Sequence, residues 1–367
     1  MRVFQIVVVL LVLLGLNYYV FYRLWRMMPA ILWGRVLLVA SAVVVILSPF
    51  VAIFLGDHLP LALASLLHTV GTAWFIILLY LMLIFLLLDG VRLSRLIPVE
   101  KIMYESWLGF GAVLLLLVGL TTFGYLRYLD KERVALTVPI EKNMPQPLKI
   151  VAVSDLHLGY GIGNDELEQW VALINAEQPD IVLIAGDVID HSVRTLYQQG
   201  LSASLKKLKS RYGVYAVLGN HEYIGNVQES IEFFRRSGIT LLRDDSVLID
   251  QRVSLVGRDD RMNKRRKSLE LLTAPLDHAK PILLLDHQPY ELDQAPKNGV
   301  DFQFSGHTHQ GQIWPVSLLV DRLYEQAYGY LRKENSHIYV SSGLGIWGGK
   351  FRIGTRSEYV VITLRQR

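Results

Sequence analysis

The chain has 367 residues and no cysteine. That absence excludes disulfide bonds, thiolate metal ligands and a cysteine nucleophile. It leaves the compartment open. Charge is scarce in the first third, where residues 1–133 hold ten Lys/Arg and six Asp/Glu. Residues 134–367 hold 27 of each, so the formal net charge of +4 lies wholly in the first part. A domain that neutralises many nucleic-acid phosphates usually carries a basic excess. The second part has none, so nucleic acid is not an expected partner. Internal repeats and low-complexity tracts are also missing.

Four runs lack charge altogether. They are residues 3–22 between Arg2 and Arg23, 36–56 between Arg35 and Asp57, 58–88 before Asp89, and 106–126 between Glu105 and Arg127. Each reaches the ~20 residues that a helix needs to cross a bilayer. A cleaved signal peptide is the other reading of the first run. Its length, the lack of a small-residue cleavage site and the spans that follow argue against it. The expectation is an all-α transmembrane region, 1–133, with helices at about 3–22, 36–56, 66–88 and 106–126.

An even number of spans places both ends of the chain on one side. Arg23, Arg26, Arg35, Arg92, Arg95 and Lys101 mark the first and third loops, against Arg2, Arg127, Lys131 and Arg133 on the other side. The positive-inside rule then favours a catalytic domain outside the cytoplasm, on the cell (inner) membrane. His68 falls inside the third span and is a functional candidate on that ground. Residues 134–148 read as a linker, polar and proline-containing over 142–147, part of which is expected to form the first strand of the following domain, 149–367.

In that domain, five short apolar runs end in polar residues. Residues 149–153 lead to Asp155 and His157, and residues 180–185 to Gly186 and Asp187. Residues 213–218 lead to Asn220 and His221, residues 281–285 to Asp286 and His287, and residues 301–304 to His307 and His309. Runs of this length read as buried strands. Helical segments lie between them. Asn164 suits an N-cap, and Leu167, Trp170, Val171 and Ile174 form an apolar stripe. Residues 202–209 and 227–236 have similar character. Strand–helix alternation implies an α/β domain whose ligand crevice lies at the carboxyl ends of its strands. Carboxylate and imidazole without sulfur suit manganese, iron or zinc rather than calcium. Seven such ligands exceed the needs of one tetrahedral ion and suit two ions that share a carboxylate.

The ordered set Asp155-x-His157, Gly186-Asp187-x-x-Asp190, Gly219-Asn220-His221-Glu222, His287 and Gly306-His307-x-His309 resembles the calcineurin-like metallophosphoesterase signature. The resemblance covers about residues 148–365. It is strongest to the membrane-associated bacterial branch of YkuE- and YaeI-like phosphohydrolases, where Gly-His-Thr-His is commonly followed by Gly-Gly-Gln-Ile. Here Gln310 replaces the first of those glycines. The glycine-rich tail Ser342-Gly343-Leu344-Gly345 and Arg352 also resemble that branch. The resemblance implies a four-layer sandwich of two facing β-sheets flanked by helices. It implies that Asp155, His157, Asp187 and His309 hold one metal, and that Asp187, Asn220, His287 and His307 hold the other. Manganese is the favoured ion. It also implies that His221 protonates the leaving oxygen, that Asp190 orients His221, and that a hydroxide attacks phosphorus in line.

The function expected is hydrolysis of a phosphoester or pyrophosphate near the membrane by a metal-dependent phosphoric ester hydrolase, either a monoesterase or a phosphodiesterase. Membrane lipids are the expected partners, and a phospholipid or lipid-linked nucleotide the expected substrate. A phosphoprotein phosphatase, a nuclease and a catalytically silent membrane scaffold or sensor are the alternatives. His191, His278 and His337 lie outside the signature. The segment 258–267 holds six basic residues; such a run is usually a solvated loop, and anionic headgroups or substrate phosphates are the other reading. Trp314 and Trp347 are candidates for the pocket mouth, with core packing or membrane-interface contact as the other readings.

Overall fold

The computed structural model describes residues 2–367. Contacts divide the chain into two compact units, Met1–Tyr125 and Leu126–Arg367.

The first unit contains the helices Arg2–Met27, Leu32–Leu55 and Leu61–Ser94 and most of Trp107–Leu129. All four are long and apolar enough to cross a membrane. The third has 34 residues, or about 50 Å at the helical rise, and so exceeds the ~30 Å hydrocarbon layer. The charges that bound the runs pair with one another: Arg23 lies 2.9 Å from Asp89, and the Tyr19 hydroxyl donates to the same carboxylate at 2.7 Å. Gly71 lets the third helix approach the second closely, since a Cβ there would lie 2.6 Å from the Pro49 nitrogen.

The second unit is built on two six-stranded sheets. The first has the order β1 (Lys131–Ile140), β12 (Ser357–Gln366), β2 (Leu148–Val153), β3 (Ile181–Ala185), β4 (Val214–Val217) and β5 (Thr240–Leu241). The second has the order β10 (Gly329–Lys333), β11 (Ser336–Val340), β9 (Phe302–Ser305), β8 (Ile282–Leu285), β7 (Val253–Gly257) and β6 (Asp245–Ile249). Strands β2 to β5 are mutually parallel, as are β7, β8, β9 and β11.

Side-chain alternation along the strands produces the layers. Ile150, Ala152 and Leu183 pack against Leu255, Leu283, Leu285 and Phe304 of the other sheet. Their neighbours Val151, Val153 and Ile184 pack outward on Trp170, Ile174, Phe233 and Phe234 of the covering helices. Likewise Val256, Ile282 and Leu284 pack outward on Leu269, Leu272 and Leu292. The result is a four-layer sandwich of helix, sheet, sheet and helix.

One expectation gains bounds and another needs correction. The first part of the linker over 134–148 forms the domain's first strand, as expected, and that strand begins at Lys131. β1 runs parallel to β12 from Lys131 opposite Ser357 to Ile140 opposite Gln366. Its alternating burial identifies a half-covered edge strand, where Pro139 is tolerated because one side needs no ladder bond. Only Asp130 separates β1 from the helix Trp107–Leu129. The helix over 202–209 is shorter, Leu201–Leu205, because Lys206 already caps it.

Arg352 ties the loops behind the strand ends together. Its side chain is fully buried. The guanidinium donates to the carbonyls of His309 at 2.7 Å, Ser342 at 2.6 Å and Gly345 at 3.1 Å, and to the Ser357 hydroxyl at 3.2 Å. Burial pulls its pKa down to about 10, which leaves it charged at neutral pH. Arg352→Met should therefore cost on the order of 3 kcal/mol, because buried acceptors lose a charged donor. Arg352→Lys should recover only part of that, since an ammonium cannot reproduce the planar fork. Thermal unfolding of the detergent-purified protein measures both, and an unchanged midpoint for Arg352→Met would contradict this role.

Candidate metal centre

The carboxyl ends of β2, β3 and β4 from one sheet and of β8 and β9 from the other carry the polar residues of the signature. Asp155 and His157 follow β2, Asp187 follows β3, Asn220 and His221 follow β4, His287 follows β8, and His307 and His309 follow β9. Glycines keep the loops close together. A Cβ at Gly219 would lie 2.2 Å from the Asp187 Oδ1, and one at Gly306 would lie 2.3 Å from the Asp155 Oδ2. Asp155, His157, Asp187, His307 and His309 all have positive φ, between 46° and 73°. Non-glycine residues rarely adopt that region, and where they do they cluster at functional sites.

Three groups of side chains place ligand atoms within 4.8 Å of one another: Asp155, His157 and His309; Asp187, His287 and His307; and His157, Asp187 and His221. The first two are subsets of the two expected ligand sets. Asp187 belongs to the second and third groups, and His157 links the third to the first. The third group brings His221 within the same reach, which the sequence pattern did not suggest. Asn220 presents a buried Oδ1 with no hydrogen-bond partner.

The donor chemistry fits cations. The His287 Nδ1 lies 2.7 Å from the Ala185 carbonyl, which can only accept, so Nδ1 holds the proton. Its Nε2 faces the Asp187 Oδ2 at 3.1 Å. A buried carboxylate that close to a buried imidazole calls for a positive charge at that point. Burial opposes a second proton on His287, yet Asp187 raises that imidazole well above the usual histidine range, so the charge is supplied either by that proton or by a bound cation in its place. The Nε2 atoms of His157 and His309 converge in the same way at 3.1 Å, and the His309 Nε2 stands 3.5 Å from the Asp155 Oδ1. Burial pushes the Asp155 carboxyl up. Burial also opposes charge on Asp187, yet His287 beside it holds that carboxyl well below the usual range. Burial, and then His287, lower His307 to about 3.

Asp190 stands between two imidazoles. Its carboxylate Oδ1 is 3.4 Å from the His157 Nδ1 and 3.6 Å from the His221 Nδ1. The His221 Nδ1 makes its short contact, 2.7 Å, with the Asp190 backbone carbonyl. The orientation of His221 thus comes chiefly from the main chain of residue 190, and the carboxylate supplies charge beside both rings.

Glu222 is the part that sequence reasoning overlooked, although it stands in Gly219-Asn220-His221-Glu222. It is fully buried and accepts from the backbone N–H groups of Gly219 at 2.7 Å, Ile189 at 2.9 Å and Asp187 at 3.2 Å. One carboxylate therefore locks the β3 loop to the β4 loop. Burial, and then the neighbouring Asp187, push it up to about 7. Gln310 also resolves plainly. It holds φ 53° and ψ 32°, the left-handed conformation that a glycine would adopt at lower cost.

The other singled-out residues do not join the centre. The His278 Nε2 meets the Thr273 carbonyl at 3.1 Å, and the His337 Nδ1 meets the Tyr330 hydroxyl at 2.6 Å. His191 appears in none of the three groups. Arg258 and Arg266 flank the buried Asp286 at 3.2 and 3.4 Å, next to His287.

A family model described as calcineurin-like phosphoesterase matches residues 148–311. An uncharacterized metallophosphoesterase of Helicobacter pylori is 31% identical over 266 residues, covering 71% of each chain. A transmembrane protein with metallophosphoesterase domain from Danio rerio is 32% identical over 248 residues, covering 62% of this chain and 56% of its own. The metallophosphoesterase YkuE of Bacillus subtilis is 29% identical over 259 residues, covering 66% and 90%. The chain belongs to the calcineurin-like phosphoesterase family and is a metal-dependent phosphoesterase.

Replacing Glu222 by Gln should loosen the Asp187 loop. Residues that orient a ligand typically contribute roughly 10–100-fold to metal affinity. A chelator titration of the metal-loaded variant should show a loss of that order, and an unshifted titration would contradict the role assigned to Glu222.

Proposed function

We propose that this protein is a membrane-anchored dinuclear phosphohydrolase that cleaves a phosphodiester or pyrophosphate carried by a membrane lipid. The observation that carries the reading is the pair of buried Asp/His groups at one sandwich edge, one containing Asp155 and the other containing Asp187. Asp155, His157, Asp187 and His309 would hold one ion, and Asp187, Asn220, His287 and His307 the other. The donor set of hard oxygens and imidazoles favours manganese, with iron and zinc as the other candidates. Bound cations neutralise phosphate oxygens and acidify water at the site.

The chain's own groups do the rest. The Ala185 carbonyl fixes the His287 tautomer. Asp187 accepts from the His221 backbone N–H at 2.9 Å, which places that imidazole at the mouth of the site. The His221 Nδ1–H donates to the Asp190 carbonyl, so Nε2 is the atom that delivers a proton to the leaving oxygen. Asp190 stabilises the imidazolium from which that proton comes.

Four apolar helices joined to the domain through one residue favour a substrate that shares the bilayer. The cation distribution among the loops favours a catalytic domain outside the cytoplasm, on the cell membrane. The balanced charge of residues 134–367 weighs against nucleic acid as substrate.

His221→Ala tests the reading against its rival, in which His221 is a metal ligand. The variant should keep its metals and lose roughly 10²-fold or more on alkyl phosphoesters, the range typical of general acids. Aryl esters, whose leaving groups need no proton, should lose much less. Loss of metal with equal losses on both classes would make His221 a ligand and remove it as the acid.

A further inference from the structure

The helix Val316–Leu323 is inside out for a water-soluble domain. The residue it buries is Ser317. Val316, Leu318, Leu319 and Leu323 are exposed, Leu319 at 60% and Leu323 at 72%. Val316, Leu319, Val320 and Leu323 recur at i, i+3, i+4 and i+7 and so form one stripe. Trp314, two residues before the helix, is 52% exposed, and Trp347 is 57% exposed. Scattered surface leucines need no explanation, but a contiguous apolar face with tryptophans marks an interaction site.

Ring contacts connect this face to the metal centre. The Trp347 ring lies 6.2 Å from that of His221. Tyr324, at the end of the helix, lies 6.2 Å from the His307 ring, and its hydroxyl meets that of Tyr290 at 3.0 Å. The Arg261 guanidinium stands 4.6 Å over the Tyr290 ring. From Arg261 the chain continues into exposed Lys264, Arg265 and Lys267. The rim of the centre therefore carries an apolar helix, two exposed tryptophans and a basic loop.

We propose that the helix Val316–Leu323, together with Trp314, docks into the interfacial layer of the lipid bilayer and brings the rim of the metal centre to the headgroups. The chemistry is that of an interfacial helix: a leucine face that enters to a depth of ~5–10 Å, tryptophan at the headgroup level, and cations against anionic lipid. Continuity of the chain selects lipid over other apolar partners. Asp130 alone lies between β1 and a helix apolar enough to span a membrane, so lipid is always within reach of this domain. The proposal rests on the reading of the four apolar helices as spans and on nothing about the reaction.

The absence of cysteine makes the test direct, because one introduced thiol is the only site of labelling. Leu319→Cys and Leu323→Cys replace exposed side chains and leave the core untouched. Lys209→Cys, exposed ahead of β4 at the opposite end of the strands, is the reference. Each full-length variant is labelled with an environment-sensitive fluorophore. It is then reconstituted in phosphatidylethanolamine–phosphatidylglycerol vesicles, with and without lipid bearing a spin label near the top of the acyl chain. Labels at 319 and 323 should emit to the blue and be quenched by spin-labelled lipid several-fold more than the label at 209. Labels at 319 and 323 as open to aqueous iodide as the label at 209 would overturn the proposal. Labels shielded from iodide but not quenched by lipid would also overturn it, and would assign the face to another protein surface, such as a second copy of the chain. None of these readouts depends on turnover, so a failure of docking is distinct from a failure of the phosphoesterase assignment.

Discussion

Two carboxylates out of water set the terms for the whole catalytic unit. Asp155 and Asp187 are buried at the ends of neighbouring parallel strands, among imidazoles that are themselves buried. A buried charge is costly unless it is paired or coordinated. The surrounding loops supply what pairing they can. His307 donates its backbone N–H to both oxygens of Asp155 at 3.1 Å, and His221 donates its own to Asp187. What remains is a cluster of carboxylate oxygens and imidazole nitrogens that converge at short range and need positive charge among them, which is the electrostatic form of a cation site.

That constraint explains why the supporting groups are unusual. Ligand residues accept left-handed backbone conformations that elsewhere would be selected against. Glycines stand where a single Cβ would displace a carboxylate. Glu222 and Arg352, one anion and one cation, are buried so that they can hold loops rather than touch a substrate. Evidently the sandwich gives two stiff strand edges, and these buried ions fix the short loops between edge and ligand.

The sequence made the strands legible because each is a short, mostly apolar run soon followed by Asp, Asn or His. The ligand candidates could be read for the same reason, each lying two to four residues beyond a strand. That the linker would supply a strand was legible, but its start at Lys131 and its place at the sheet edge were not, because prolines and polar residues obscured the alternation of one wet face. The reach of Asp190 through its carbonyl rather than its carboxylate was not legible at all, since a backbone contact leaves no mark on residue type. Nor did the spacing indicate that the Val316–Leu323 stripe faces away from the core. An amphipathic pattern gives the same signal whether its apolar side meets protein or lipid.

The central claim is that this edge holds two metal ions that share Asp187. It is tested most directly by elemental analysis of the purified full-length protein beside its Asp187→Asn variant, with phosphoesterase activity measured on the same samples. The account predicts about two transition ions per chain in the wild type. It predicts that the variant, with the shared carboxylate neutralised, is depleted at both sites and inactive. Full activity in a protein stripped of metal, or an Asp187→Asn variant that retains both ions and its turnover, would contradict it.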